Sequence, residues 1–204
     1  MKHNLTVIAT LICIAVSCFC INTTHAQNWD INLLKNINPN PPSSQVWKGI
    51  SSSAEPLAAG IPAGMFVIGL INKDSSLKSK SVEILIGLTA TAIATGALKV
   101  ITNRQRPYQQ YPMDVFPYDA SDNGKSFPSA HTSLSFATAT SLSLIYKKWY
   151  VTVPAFVWAT SVGYSRLYLG EHYPSDVIAG AAVGAAGALA SHWLNKKFIS
   201  RRKK

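Results

Sequence analysis

The chain has 204 residues and a mass of 22.0 kDa, which is room for one domain and hardly two. Apolar residues make up 48% of it and charged residues 14%, short of the roughly 25% usual in soluble chains, so a disordered or strongly solvated protein is excluded. A net charge of +10, from 19 Lys and Arg against 9 Asp and Glu, admits nucleic acid, a membrane surface or an anionic substrate as partner, and the positions of the charges decide among them.

At the N-terminus Lys2 precedes an almost wholly apolar run over residues 5–21, and Thr24-His25-Ala26 offers small residues ahead of Gln27. The pattern predicts a secretory signal peptide over residues 1–26, with an uncleaved anchor as the alternative because the apolar run is long. Ala15-Val16-Ser17-Cys18 is a weaker, lipoprotein-like box, and all three readings export the chain. Cys13, Cys18 and Cys20 are the only cysteines, so nothing beyond residue 20 can form a disulfide or a thiolate metal site.

Residues 27–56 are polar, with the loop-like run Asn38-Pro39-Asn40-Pro41-Pro42-Ser43-Ser44, and are expected to form loop or short helix. Five apolar stretches follow, at about 57–71, 82–101, 130–146, 150–164 and 177–194. None alternates as a strand would, so all five are expected to be helices. Gly60-x3-Gly64 and Gly180-x3-Gly184 are the small-residue spacings that let helices approach closely.

Several of these stretches sit near the minimum of about 17 residues for a membrane span, so a soluble bundle is a serious rival. The loops favour the membrane. With a cytoplasmic N-terminus and one crossing per stretch, the inner pieces carry Lys2, then Lys73, Lys78 and Lys80, then Lys147 and Lys148, then the six Lys and Arg of the tail. That is twelve of the nineteen positive residues in few positions, the asymmetry that sets membrane orientation. Trp149 and Trp193 fall at the inner interfaces, where indoles settle. The fold class is therefore all-α: a helical bundle, polytopic in the membrane, with about five transmembrane helices besides the signal peptide or anchor. The organisation is an exported polar segment over 27–56, a helical domain over 57–195 and a basic cytoplasmic tail over 196–204. Topology or anionic lipid explains that tail better than nucleic acid does.

This topology gathers the remaining chemistry at the outer face. Lys99, Arg104 and Arg106 lie where the second stretch leaves the membrane, Ser126 to His131 where the third enters, and Arg166, His172 and Asp176 between the fourth and fifth. Cations at membrane depth, here Lys99, Arg106 and Arg166, are costly unless they share an anion. Arginine forks suit bidentate contact with phosphate oxygens, and a helix opening at Ser129-Ala130 would aim free N–H groups at the same anion. His172 and Asp176 are four residues apart beside a helix start at Pro174. The carboxylate can therefore orient one imidazole nitrogen and leave the other for nucleophilic attack.

Lys99-x6-Arg106-Pro107, Pro128-Ser129-Ala130-His131 and Ser165-Arg166-x5-His172-x3-Asp176 resemble, in order and internal spacing, the three signature motifs of the type 2 phosphatidic acid phosphatase superfamily. That superfamily also contains bacterial class A acid phosphatases and vanadium haloperoxidases. Ala130 stands where the second motif usually has Gly, and its methyl group is expected to tune the phosphate site rather than abolish it. The resemblance implies His172 as nucleophile forming a phosphohistidine, Asp176 as its orienting partner, and His131 as the acid for the leaving oxygen and later the base for water. It implies phosphate binding by Lys99, Arg106, Arg166, the Ser129 hydroxyl and backbone N–H groups at Ser129-Ala130, with no metal and no cofactor. The implied substrate is a membrane lipid phosphate monoester or pyrophosphate. Undecaprenyl pyrophosphate, phosphatidic acid, phosphatidylglycerol phosphate and lipid A phosphates are the candidates. The implied location is the bacterial inner membrane with the site facing the periplasm. The rival activities are a soluble secreted acid phosphatase and a vanadium haloperoxidase. Outside the motif positions, Arg104 is expected to be a solvated loop charge, Glu171 a loop residue and His192 an interfacial one. Tyr108, Tyr111, Phe116 and Tyr118 are expected to line a substrate mouth or pack at the interface.

Overall fold

The computed structural model describes residues 23–121 and 124–199, and every regular element among them is a helix. The expected signal or anchor run over residues 5–21 and the last basic residues, 201–204, lie outside the described residues. Helix α1, Thr23–Ile37, crosses the expected cut site.

Residues 27–56 take the short-helix alternative over most of their length. They hold most of α1 and all of α2, Gln45–Ser52. Ile31 and Leu34 lie three apart on one face of α1 and are buried against Tyr108, Val115, Leu167 and Tyr173. Tertiary burial of that stripe stabilises a helix too short to stand alone. Just past α1, the Asn38 amide donates to the carbonyls of Phe116 and Tyr168, both at 2.9 Å, and accepts from the Phe116 N–H at 2.7 Å. One side chain thus ties the end of α1 to the chain at Phe116 and at Tyr168.

The five expected helices are all present. They are α3, Ala54–Ile71; α4, Ser75–Thr102; α6, Ala130–Tyr146; α7, Trp149–Tyr168; and α8, Pro174–Leu194. A single turn, α5, Pro107–Gln110, lies in the long α4–α6 connection, and a π-helical turn, Asn195–Ile199, extends α8. Helix α4 starts earlier than its apolar stretch because Asp74 caps it, accepting from the N–H groups of Ser76 at 2.8 Å and Leu77 at 3.0 Å.

Helix α6 is the centre of the bundle and packs most extensively on α8, then on α7. The contact with α8 is backbone-close. A methyl group on Gly184 would stand 2.1 Å from the Ser133 carbonyl oxygen, and one on Gly180 would stand 2.7 Å from that of Ser129. Gly60 and Gly64 have no neighbour within 4 Å and face outward, so only the second small-residue spacing forms a helix contact.

The bundle is inside-out relative to a soluble protein. Ser81, Thr91, Thr95, Ser133, Ser135, Thr138 and Ser141 are buried, whereas Val100 and Ile101 are 80% and 76% exposed and Ile71, Ile93 and Ile178 also point outward. Water would expel such a surface; lipid solvates it. The stretches Ala54–Ile71, Ser75–Gln110 and Pro174–Lys197 are each long and apolar enough to cross a membrane. Helices α6 and α7 fall outside that class, α6 having only 17 residues and a Ser- and Thr-rich face. The chain is an all-helical membrane protein.

Candidate active site

Three chain reversals at one end of the bundle assemble the site. After α4, Asn103 takes a left-handed conformation (φ 47°) that ends the helix and redirects the chain toward Arg104 and Arg106. Ser129, in extended conformation, opens α6 at Ala130. Between α7 and α8 the chain turns at Gly170 (φ 71°), where an added methyl group would lie 2.5 Å from the Phe116 carbonyl oxygen, and Pro174 then opens α8. The Ser129 N–H donates to the Asp176 carbonyl at 3.1 Å, which pins the second motif to the third.

His172 is buried, with Nδ1 3.5 Å from Asp176 Oδ2 and 3.5 Å from Ser126 Oγ. The distance to the carboxylate is longer than an ordinary hydrogen bond because Oδ2 also accepts from the Tyr173 N–H at 2.9 Å and from the Ser126 hydroxyl. Such bonds tighten when a substrate loads the partner ring. Burial pushes the imidazole down from its ordinary 6.5 to about 3; Asp176 pulls it back toward the charged form, and Arg166 and Arg106 oppose that. The ring is therefore neutral.

Beside His172, the Glu171 carboxylate bridges two of the sequence-selected cations. Arg106 Nη1 lies 2.6 Å from Glu171 Oε2 and Arg166 Nη2 lies 3.6 Å from the same oxygen. Arg106 also donates through Nε to the Gly124 carbonyl at 3.2 Å, and Arg166 through Nη1 to Ser51 Oγ at 2.8 Å. Lys99 Nζ reaches the Lys125 carbonyl, one residue before Ser126. Ser129 is buried, and its Oγ accepts from Thr132 Oγ1 at 3.0 Å, leaving its own proton to donate. Its N–H is committed to Asp176, so the backbone donors open to an anion begin beyond Ser129, at Ala130. His131 lies on the first turn of α6 with Nε2 3.9 Å from Glu55 Oε1 of α3.

Two expectations need correction. Arg104 is not a solvated loop charge: it pairs with Asp176 Oδ1 at 2.7 Å and Asp30 Oδ2 at 2.9 Å, and lies 3.9 Å over the Tyr173 ring. Glu171 does lie in a loop, but it is buried and holds two arginines. Asp30, Ser51, Glu55 and Ser126 also belong to the cluster and carry no motif signal in the sequence. Charge balance was the available clue for Glu171, because clustered cations at membrane depth require anions and it is one of few nearby. Of the aromatic residues, Tyr108 packs in the core above the site, while Tyr118 is exposed beneath the Lys48 ammonium, 4.1 Å from its ring centroid.

Comparisons with known proteins bear on the same region. The chain is 37% identical over 78 residues to a lipid A 4'-phosphatase of Bacteroides thetaiotaomicron, a match covering 38% of this chain and 35% of that protein. It thus spans about a third of that relative. Similarity to the putative undecaprenyl-diphosphatase YbjG of Escherichia coli is more extended, at 25% identity over 166 residues, 81% of this chain and 82% of the other. The fold matches the crystal structure of a transmembrane PAP2 type phosphatidylglycerolphosphate phosphatase from Bacillus subtilis with a TM-score of 0.72 and 23% identity, covering 94% of this chain and 96% of that one. It also matches Aquifex aeolicus LpxE with a TM-score of 0.59 and 22% identity, over 80% and 94% of the two chains. The family model of the PAP2 superfamily matches residues 80–200, which include all three motifs and more than half of the chain. By that match the chain belongs to the PAP2 superfamily.

Proposed function

We propose that this protein is a metal-independent phosphatase that hydrolyses a lipid phosphate monoester or pyrophosphate, with its site on the periplasmic face of the bacterial inner membrane. The observation that carries the reading is the juxtaposition of a neutral, buried His172 with the Asp176 carboxylate on one side and the Arg106–Glu171–Arg166 cluster on the other. Lipid substrates are favoured by the outward-facing apolar surface and by relatives named for lipid A and undecaprenyl substrates.

In this mechanism Nε2 of His172, the ring atom turned away from Asp176, attacks phosphorus. The phosphorus–oxygen bond to the lipid breaks as His131 protonates the departing oxygen. Asp176 stabilises the positive charge that develops on the imidazole. Water then attacks the phosphohistidine, His131 accepts its proton, the phosphorus–nitrogen bond breaks and inorganic phosphate leaves. Lys99, Arg106, Arg166, the Ser129 hydroxyl and the N–H groups from Ala130 onward hold the non-bridging oxygens. Their fixed positive field takes the role that divalent cations fill in many phosphoryl-transfer enzymes. Substrate shares the two arginine forks with Glu171, which keeps them aligned.

The test is phosphate release by the purified full-length protein in detergent, on undecaprenyl pyrophosphate, phosphatidic acid, phosphatidylglycerol phosphate, lipid A and a soluble phosphomonoester. Release from at least one lipid, undiminished in EDTA and abolished by His172→Ala, is the expected outcome. Full turnover by His172→Ala, or loss in EDTA reversed by added metal, contradicts the mechanism.

A further inference from the structure

Arg104 lies outside the residues to which the mechanism assigns a task, yet it touches Asp176. Its Nη1 donates to Asp176 Oδ1 at 2.7 Å and to Ser175 Oγ at 2.7 Å, and its Nη2 donates to Asp30 Oδ2 at 2.9 Å. Asp30 comes from α1, far away in sequence. Its Oδ1 accepts from the Ser175 N–H at 2.9 Å and its Oδ2 from the Ser175 hydroxyl. A carboxylate of one helix therefore satisfies a free N–H in the first turn of another. Both carboxylates are almost fully buried, and the guanidinium carbon between them lies 3.9 Å from the ring centroid of Tyr173, the residue after His172.

The consequence for His172 is geometric. The two oxygens of Asp176 are divided: Oδ1 belongs to Arg104, while Oδ2 faces Nδ1 of His172 and accepts from Tyr173 N–H and Ser126. Holding Oδ1 stops the carboxylate from rotating, and so aims Oδ2 at the imidazole. We propose that Arg104, held by Asp30, is a positioning residue that sets Asp176, and through it His172, in the attacking orientation. The exported N-terminal segment is thereby a working part of the site rather than a leader to it. The inference rests on the phosphatase reading above.

The test measures steady-state phosphate release from phosphatidic acid by full-length protein in detergent, per folded enzyme as counted by size exclusion. It compares wild type with Arg104→Gln, Arg104→Lys, Asp30→Asn and the Arg104→Gln/Asp30→Asn double variant. Misaiming a nucleophile acts on the chemical step, so Arg104→Gln should lower kcat by about 10- to 100-fold with KM within about twofold of wild type. Arg104→Lys should recover part of the loss, since it restores the charge but not the fork. Asp30→Asn should lower kcat less, and the double variant should be no slower than Arg104→Gln alone, because both act through one contact chain. Wild-type kcat in folded Arg104→Gln, or a change confined to KM, overturns the proposal. If Arg104→Gln does not fold, Asp30→Asn and Arg104→Lys decide, and wild-type kcat in both overturns it. His172→Ala, run alongside, separates the two readings. Turnover by that variant removes the phosphohistidine mechanism, whereas an inactive His172→Ala beside a fully active Arg104→Gln removes this inference alone.

Discussion

A neutral imidazole can attack phosphorus and an imidazolium cannot, so the charge state of His172 decides whether the cluster is a nucleophilic site at all. Burial holds it neutral down to about pH 3. An unfolded chain would take up that proton near the ordinary value of 6.5, so the folded state binds fewer protons between the two. Stability is therefore fully present above about pH 6.5 and declines as pH falls toward 3. Nitrogen-15 NMR of the detergent-solubilised protein should show a neutral His172 ring at about pH 5, and His172→Gln should lessen the loss of thermal stability on acidification. A protonated ring at that pH would contradict the burial argument. Glu171 shows the other side of the same electrostatics. Arg106 and Arg166 were expected from their side-chain chemistry to bind an anion, but the carboxylate that keeps them close together is visible only in the folded chain.

Helix contacts follow the same division between pattern and context. Gly60-x3-Gly64 and Gly180-x3-Gly184 look equivalent as spacings, yet only the second lies against a neighbouring backbone. The expected result is asymmetric. Gly184→Ala forces a methyl group against the Ser133 carbonyl and should cost about 1–3 kcal/mol as overpacking. Gly64→Ala, on an open helix face, should be neutral or gain up to about 1 kcal/mol from the better helix former. Melting of the two variants in detergent, compared with wild type, checks this, and equal effects would remove the assigned contact. Helix α1 makes the complementary point: its composition admits loop or short helix, and burial of Ile31 and Leu34 decides for the helix.

For the molecule as a whole, the two ends of the bundle differ in kind. One end carries His131, His172, Arg104, Arg106, Arg166 and Asp176; the other carries Lys73, Lys78, Lys80, Lys147 and Lys148, with Lys80 5.8 Å from the Tyr146 ring centroid. His192, expected at the interface, sits at this lysine-rich end, 2.6 Å from the buried Glu83. On the proposed positive-inside orientation the candidate site is expected to face outward. In a background with Cys13, Cys18 and Cys20 replaced, a membrane-impermeant maleimide should label Ser121→Cys in spheroplasts and Lys147→Cys only after lysis. The reverse pattern would invert the topology.

The five helices, and the motif positions His172, His131, Asp176, Lys99, Arg106 and Arg166 on which the proposed site rests, could be read from the chain itself. They depend on local periodicity and on motif spacing, neither of which needs distant residues to meet. The partners of Arg104, Glu171, Asp30 and Ser126 were decided only by the tertiary structure. Each owes its environment to a partner brought from elsewhere in the sequence, as when α1 delivers Asp30 to the start of α8. A lone charged or hydroxyl side chain has no periodicity to betray it, so its meaning appears only when packing removes water and leaves the partner as its sole compensation.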